Sequence, residues 1–340
     1  MRLFLSGKQG MENYNLKVAD MHCDTITELW DRKNADEQED LLHNSLQMDL
    51  EKMQAGNYLL QNFAIFVHLK RNADPMEAFM RFSDLFYLEI EKYSDIIGVV
   101  KCFRDIEKNR ERGKLSAMLT VEEGSVCGGS LAQLRSLYRL GVRMMTLVWN
   151  YENELGFPNC ITEGGSGEQF RFYPETERGL KEKGFAVLEE MERIGMIIDV
   201  SHLSDAGFYD VWQNTKKPFV ASHSNARALC GHSRNLADDM IRKLAQRGGV
   251  IGLNYNADFL AKETEHETSC RSTVSKMAEH VRYLVNTGGL ECVGLGSDFD
   301  GISGGSELTD CSKLPLLEEE LRRQGFHESE IEAVFYKNVM

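Results

Sequence analysis

The stretch LKEKGFAVLEEMERIGMIIDVSH, residues 180–202, carries one complete helix-then-strand unit. Leu180, Gly184, Val187, Met191 and Ile194 fall at i, i+4, i+7, i+11 and i+14, which aligns one stripe along a helix, and Gly195 closes it. Residues 196–200 follow at once as a short, largely apolar run, the mark of a parallel strand covered on both faces. Ser201 and His202 then stand where that strand ends.

Counting outward, eight such runs occur, at 16–21, 58–67, 116–121, 142–149, 196–200, 218–221, 250–254 and 292–296. Helical patterns separate them. A second clear helix starts after Asn235 as cap, has Asp238 and Asp239 in its first turn, and ends at Arg247 and Gly248, directly before the run at 250–254. Alternating strands and helices exclude an all-β fold and a helical bundle, whereas an open doubly wound sheet would share the local pattern. Eight strands close a ring, so the fold expected is α/β, a (β/α)8 TIM-like barrel. Residues 152–178 read as a long polar loop with Gly164, Gly165 and Gly167, a lid or binding loop. No repeat, linker or low-complexity tract divides the chain, and residues 1–340 are expected to form a single catalytic domain.

Composition narrows the partners. The chain has 340 residues, 42% hydrophobic and 27% charged, enough to bury a large core. With 39 basic and 53 acidic residues the net charge is −14, which repels a phosphate backbone or an anionic membrane, so neither nucleic acid nor membrane is an expected partner. The N-terminal MRLFLSGKQGMENYNLKVAD has too short an apolar stretch for a secretory signal, and no segment approaches the roughly 18 apolar residues of a membrane span. The C-terminus lacks the apolar tail of a lipid-anchor signal, and a soluble, cytoplasmic protein is expected. The cysteines at 23, 102, 127, 160, 230, 270, 292 and 311 form no CxxC pair and read as reduced thiols.

In a barrel, the C-terminal strand ends face the active site, and here they carry the unusual polar residues. DMHCDT places His22 and Asp24 two apart, on one side of an extended segment. TVEEGS gives Glu122, DVSH gives His202, ASHS gives His223, and GSDFDG gives Asp298 and Asp300. His22, Asp24, Glu122, His202 and His223 supply the imidazoles and carboxylates that a pair of zinc ions needs, and they leave Asp298 uncommitted. Each residue alone is weak evidence, since a single His in an apolar segment is more often a hydrogen-bonded core residue. Together they are harder to dismiss. The remaining histidines, His43, His68, His232, His266, His280 and His327, fall mostly in helices or loops and are given no ligand role.

HCD after an apolar strand, TVEEG, the IDVSH and ASHS pair, SRN and GSDFDG occur in the order and at the spacing of the membrane (renal-type) dipeptidases, zinc peptidase family M19. The chain resembles that family from about residue 18 to residue 338. The resemblance implies an amidohydrolase-like barrel holding two zinc ions, one on His22, Asp24 and Glu122, the other on Glu122, His202 and His223, with Glu122 bridging. It further implies hydrolysis of dipeptides, including those with a C-terminal D-residue, by a hydroxide between the metals. Asp298 resembles the proton-transferring carboxylate and Arg234 of SRN the residue that holds the substrate's C-terminal carboxylate. Dimers are common in the family, so a homodimer is a further expectation.

One departure stands out. Where mammalian members have His at the end of strand four, this chain reads TLVWN, with Trp149 in that place and Asn150 beside it. An indole donates one hydrogen bond and cannot become cationic, so oxyanion support would come from elsewhere, with Asn150 or Asn153 as candidates. Trp149 and Asn150 are therefore expected at the substrate, although Trp149 could equally pack against the long loop. The change keeps open another small amide as substrate, an N-acyl amino acid or a β-lactam. A catalytically silent metal-binding barrel is the third reading, disfavoured because a binding module has no need of the uncoordinated Asp298.

Overall fold

The computed structural model describes residues 16–34, 39–163, 169–262, 272–302 and 305–340. The N-terminal stretch 1–15, Gly164, Gly165, Gly167, His266 and Cys270 lie outside the described residues.

Ten strands are described: β1 (Val18–Cys23), β2 (Tyr58–Phe66), β3 (Ile97–Val99), β4 (Leu115–Glu122), β5 (Met144–Thr146), β6 (Cys160–Glu163), β7 (Gln169–Phe172), β8 (Ile197–Asp199), β9 (Ile251–Leu253) and β10 (Val293–Leu295). Parallel pairing runs β8-β5-β4-β2-β1-β10-β9. Residues 218–221 close the ring, because Asp199 bridges Val220 and Ala221 bridges Ile251, both in parallel. The fold is therefore the expected (β/α)8 barrel, and each of the eight apolar runs supplies one stave. Its interior is tight. A Cβ at Gly252 or Gly296 would lie 1.9 or 1.8 Å from the Ser222 carbonyl oxygen, so only glycine lets these staves close on the segment that carries His223.

Two elements depart from the sequence reading. The short β3 pairs with β4 outside the ring of eight. Within the loop at 152–178, β6 and β7 form an antiparallel hairpin that brings Phe170 and Phe172 beside the barrel mouth.

The helix Glu182–Ile194 buries Gly184, Val187 and Met191 and ends at Gly195 with φ +80°, as its stripe requires, while Leu180 lies just before it. The next expected helix spans Asp238–Gln246, with Ala237 rather than Asn235 at its N-cap. Asn235 is drawn elsewhere: its amide donates to the carbonyls of Cys230 and Phe259 at 2.8 Å each, and its oxygen accepts from the Asn225 backbone. Local capping propensity yields here to a buried loop that needs those three bonds. The helix Pro75–Lys92, capped by Asp74, covers the outer face of the barrel with Phe79 and Phe86, each worth about 1.5 to 3 kcal/mol of burial. Seven described cysteines are free thiols, and no described helix is long and apolar enough to cross a membrane.

Candidate metal centre

Each residue of the expected ligand set stands at a C-terminal strand end. His22 lies on β1 and Asp24 just past it, Glu122 is the last residue of β4, His202 follows β8, His223 follows the stave at 218–221, and Asp298 follows β10. His202 and Asp298 have φ of +69° and +64°. For residues with a Cβ that left-handed conformation costs about 1 to 2 kcal/mol each, and packing at the mouth holds it.

The side chains converge. His22 Nε2 lies 3.1 Å from Glu122 Oε2 and 3.5 Å from Asp24 Oδ2. Glu122 Oε1 lies 2.9 Å from His202 Nε2 and 3.7 Å from His223 Nε2. Among the described residues, three groups have ligand atoms within 4.8 Å of one another: His22, Asp24 and Glu122; Glu122, His202 and His223; and His22, His223 and Asp298. Glu122 is shared by the first two. Asp298 Oδ1 comes within 3.8 Å of His22 Nε2.

Hydrogen bonding decides what these nitrogens are. His202 Nδ1 is 2.8 Å from the Asn150 side-chain oxygen, an acceptor, so this nitrogen carries the proton. Ser222 Oγ donates to Asp199 Oδ2 at 2.6 Å and must accept from His223 Nδ1 at 2.7 Å, so His223 is also protonated there. Asp199 is itself fixed by Thr146 Oγ1 and by the backbone N–H groups of Ser201 and Ser222. Burial pulls the His202 pKa down to about 4 and the His223 pKa well below the usual imidazole value, with Arg234 adding to the first and His22 to the second. Both rings are thus neutral near pH 7. Their Nε2 atoms, 3.0 Å apart, present two lone pairs to each other and to the Glu122 carboxylate with no proton between them.

Such a contact is repulsive unless a cation shares it, so the donor set fits metal. Other atoms agree. Both His22 ring nitrogens, Asp24 Oδ1 and Glu122 Oε1 are buried without a hydrogen-bond partner. Burial lowers the His22 pKa, but the adjacent Glu122 and Asp24 carboxylates outweigh it and hold the group well above its ordinary value. For Glu122, burial raises the pKa and the facing His22 and His202 more than reverse it. Asp298 is different. Burial pushes its carboxyl up to about 7, opposed by His22 and reinforced by Asp24 and Glu122, while Asn254 Nδ2 donates to its Oδ2 at 2.8 Å.

A cavity of about 260 Å3 opens over these groups. Arg234, expected at the substrate, lies in its wall, 4% exposed, with Nε and Nη1 buried and unpartnered. Trp149 lines the cavity too, in ring contact with Phe66, His68, Tyr151, Phe170 and His202. Asn150 lines it while its oxygen is engaged on His202. Asn153, the other candidate for oxyanion support, turns away: its amide donates to Glu123 and the Leu147 carbonyl, and its oxygen accepts from Leu155 and Gly156. His232, given no ligand role, sits in the wall as a neutral ring between Phe172 and Phe259. Asp199, Ser222, Asn254 and Glu28 were not singled out in the sequence, although Asp199 and Ser222 lie inside the quoted motifs.

Gly301 is the floor on which two carboxylates rest. A Cβ there would lie 2.0 Å from Asp24 Oδ2 and 2.6 Å from Asp298 Oδ1. Gly301→Ala is expected to push both out of place and weaken metal loading by about tenfold or more, the usual penalty for disturbing the groups that support metal ligands. Metal titration of the purified variant followed by calorimetry checks this; wild-type affinity would show that the carboxylates need no such room.

A closed parallel barrel whose mouth gathers three imidazoles and a shared carboxylate within ligating distance has the architecture of a metal-dependent hydrolase. The chain belongs to the membrane dipeptidase family, peptidase family M19, whose family model matches residues 13–340. It is accordingly a metallopeptidase of the dipeptidase type. An uncharacterised dipeptidase of Schizosaccharomyces pombe is 34% identical over 305 residues, 86% of this chain and 70% of that protein. Dipeptidase aclJ of Aspergillus oryzae is 31% identical over 306 residues, 86% of this chain and 68% of that protein. Among solved structures, a dipeptidase of family M19 superposes with a TM-score of 0.84 at 24% identity, covering 95% of this chain and 96% of that one. A metallopeptidase from Rhodobacter sphaeroides, solved with a phosphinate mimic of L-Ala-D-Ala, gives 0.82 at 24% identity, covering 95% and 97%. At this identity both likenesses bear on the fold.

Proposed function

We propose that this chain is a binuclear zinc dipeptidase, with residues 1–340 acting as one catalytic domain. The observation that carries the reading is the pair of neutral imidazole lone pairs on His202 and His223, 3.0 Å from each other and 2.9 Å and 3.7 Å from Glu122 Oε1. His22, Asp24 and Glu122 would hold one ion, and Glu122, His202 and His223 the other. When bound, the two ions supply a water acidified toward neutrality and Lewis-acid polarisation of the scissile carbonyl.

The chain's own residues do the rest. Asp298, held by Asn254 at 2.8 Å beside the metal groups, takes the proton of the attacking water and delivers it to the leaving nitrogen. Arg234 holds the C-terminal carboxylate of the dipeptide with its two unpartnered nitrogens, which limits substrates to those ending one residue beyond the scissile bond. Trp149 forms the aromatic wall against the substrate, and Asn150 keeps His202 in its metal-binding tautomer. Acceptance of a C-terminal D-residue rests on the family resemblance, as do the homodimer and zinc as the metal; a cytoplasmic location rests on the sequence reading alone. Turnover of a dipeptide panel against matched N-acyl amino acids tests the substrate class. Cleavage confined to the dipeptides supports it, and cleavage confined to the N-acyl compounds replaces it with the other amide reading.

Arg234 yields a separate test. A buried guanidinium without partners costs stability, so Arg234→Met is expected to leave the melting temperature equal or higher while lowering kcat/KM for dipeptides about tenfold to a hundredfold. Thermal unfolding beside kinetics reads both. A large loss of stability with an unchanged kcat/KM would make Arg234 a structural residue.

A further inference from the structure

The cavity is charged unevenly from one side to the other. Among the described residues that line it, Arg234 supplies the one permanent cation, against six acids: Asp24, Glu28, Glu122, Asp258, Asp298 and Asp300. Two divalent ions would offset most of that excess. The acids are not equivalent, however. Asp24 and Glu122 belong to the metal groups, Asp298 is held by Asn254, and Asp258 is exposed. Asp300 has one oxygen on Thr25 Oγ1 and the other on the Gln47 backbone, both at 2.6 Å.

Glu28 alone is half-buried in the wall with its carboxylate unengaged by any hydrogen bond or ion pair among the described residues. Arg32 and Arg71 lie near enough to be felt electrostatically, yet neither pairs with it. Its position in the ring matters. Glu28 follows the first stave and Arg234 the sixth, three staves apart around the ring of eight, and both line the cavity over the metal groups. A dipeptide whose carboxylate rests on Arg234, and whose peptide bond lies over the metal groups, would direct its N-terminal residue away from Arg234, into the part of the cavity whose wall includes Glu28.

Glu28 begins one helical turn beyond Asp24, since its N–H donates to the Asp24 carbonyl at 3.2 Å. One turn is about 5 to 6 Å, too far for an α-ammonium held beside the scissile carbonyl but within reach of a long side chain. We infer that Glu28 is a specificity residue and that the preferred substrates are dipeptides whose N-terminal residue carries a cationic side chain, lysine or arginine. This rests on the dipeptidase reading above. A stretched Lys or Arg would bury its methylenes along the aromatic wall and place its charge on the free carboxylate.

Lys-Ala and norleucyl-Ala, which keeps the four side-chain carbons of lysine without the ammonium, are the probes, tested on the zinc-loaded protein and on Glu28→Gln. The wild type is expected to favour Lys-Ala by about tenfold in kcat/KM, the size of one charge-assisted bond at a half-buried site, and rising salt is expected to shrink the ratio. In Glu28→Gln the ratio falls toward one. Calorimetric Kd values for both dipeptides on Asp298→Asn protein, whose turnover is expected to be greatly slowed, follow the same ratio. Equal rates in the wild type, or a preference that survives Glu28→Gln, overturn the inference and leave the dipeptidase reading standing. No cleavage of either dipeptide overturns that reading and the inference with it.

Discussion

Asp298→Asn is expected to keep its full complement of metal and to lose turnover by about 10^2- to 10^4-fold, the usual contribution of a positioned proton-transfer group. The substitution is as nearly isosteric as the site allows. At φ +64° few residues other than glycine are comfortable, and asparagine is the best tolerated of them. Asn254 Nδ2 can still donate to the amide oxygen of the variant as it does to Asp298 Oδ2 at 2.8 Å, so local geometry persists. What is lost is a carboxyl that burial pushes up to about 7 in the metal-free protein, and with it the group proposed to carry the proton. Metal analysis and kcat on the same preparation give the answer. If metal content falls along with activity, Asp298 is a ligand, as its place beside His22 and His223 permits. If turnover is unchanged, the proton path lies elsewhere.

Glu122→Gln acts on the other half of the site. Glu122 is the carboxylate common to two of the three ligand groups, so the substitution removes one anionic ligand from both proposed ions at once. Purified protein is expected to fall from two equivalents of metal toward none, with activity lost in proportion. The uncharged amide also removes the largest charge that opposes burial at His22, and its pKa should drop, with Asp24 as the remaining partner that raises it. Histidine titration by NMR on metal-free wild type and variant reads that change. Retention of two ions would mean that Glu122 does not bridge.

The parts of this account that were legible in the sequence are those where one residue type answers to one constraint. Staves covered on both faces are largely apolar, so β2 and β4 stood out despite the buried Gln61, Asn62, Ser116 and Thr120, and even residues 218–221 did so although they form only single bridges on each side. The convergence of the proposed ligand set was legible because His and acid residues at strand ends break that apolar pattern. The three-residue β3 escaped because two of its three residues are only half-buried and it is too short to show a period. The β6 and β7 hairpin was read as loop, although Gln169, Phe170, Arg171 and Phe172 do alternate, because a two-stranded ribbon with an exposed face has little apolar signal. Asn235 looked like a helix cap and proved to be a brace for its own loop, a choice made by tertiary contacts that no local pattern encodes. Asp199 and Ser222 were hidden for the same reason: their importance lies in which His nitrogen they leave bare, and that needs three-dimensional neighbours.

Anomalous diffraction at the zinc edge, from crystals of protein purified without added metal and then loaded with zinc, addresses the central claim directly. Two peaks are predicted, one bounded by His22, Asp24 and Glu122 and the other by Glu122, His202 and His223, with Glu122 touching both. A single peak away from Glu122, or zinc bound only at surface residues, would contradict the account.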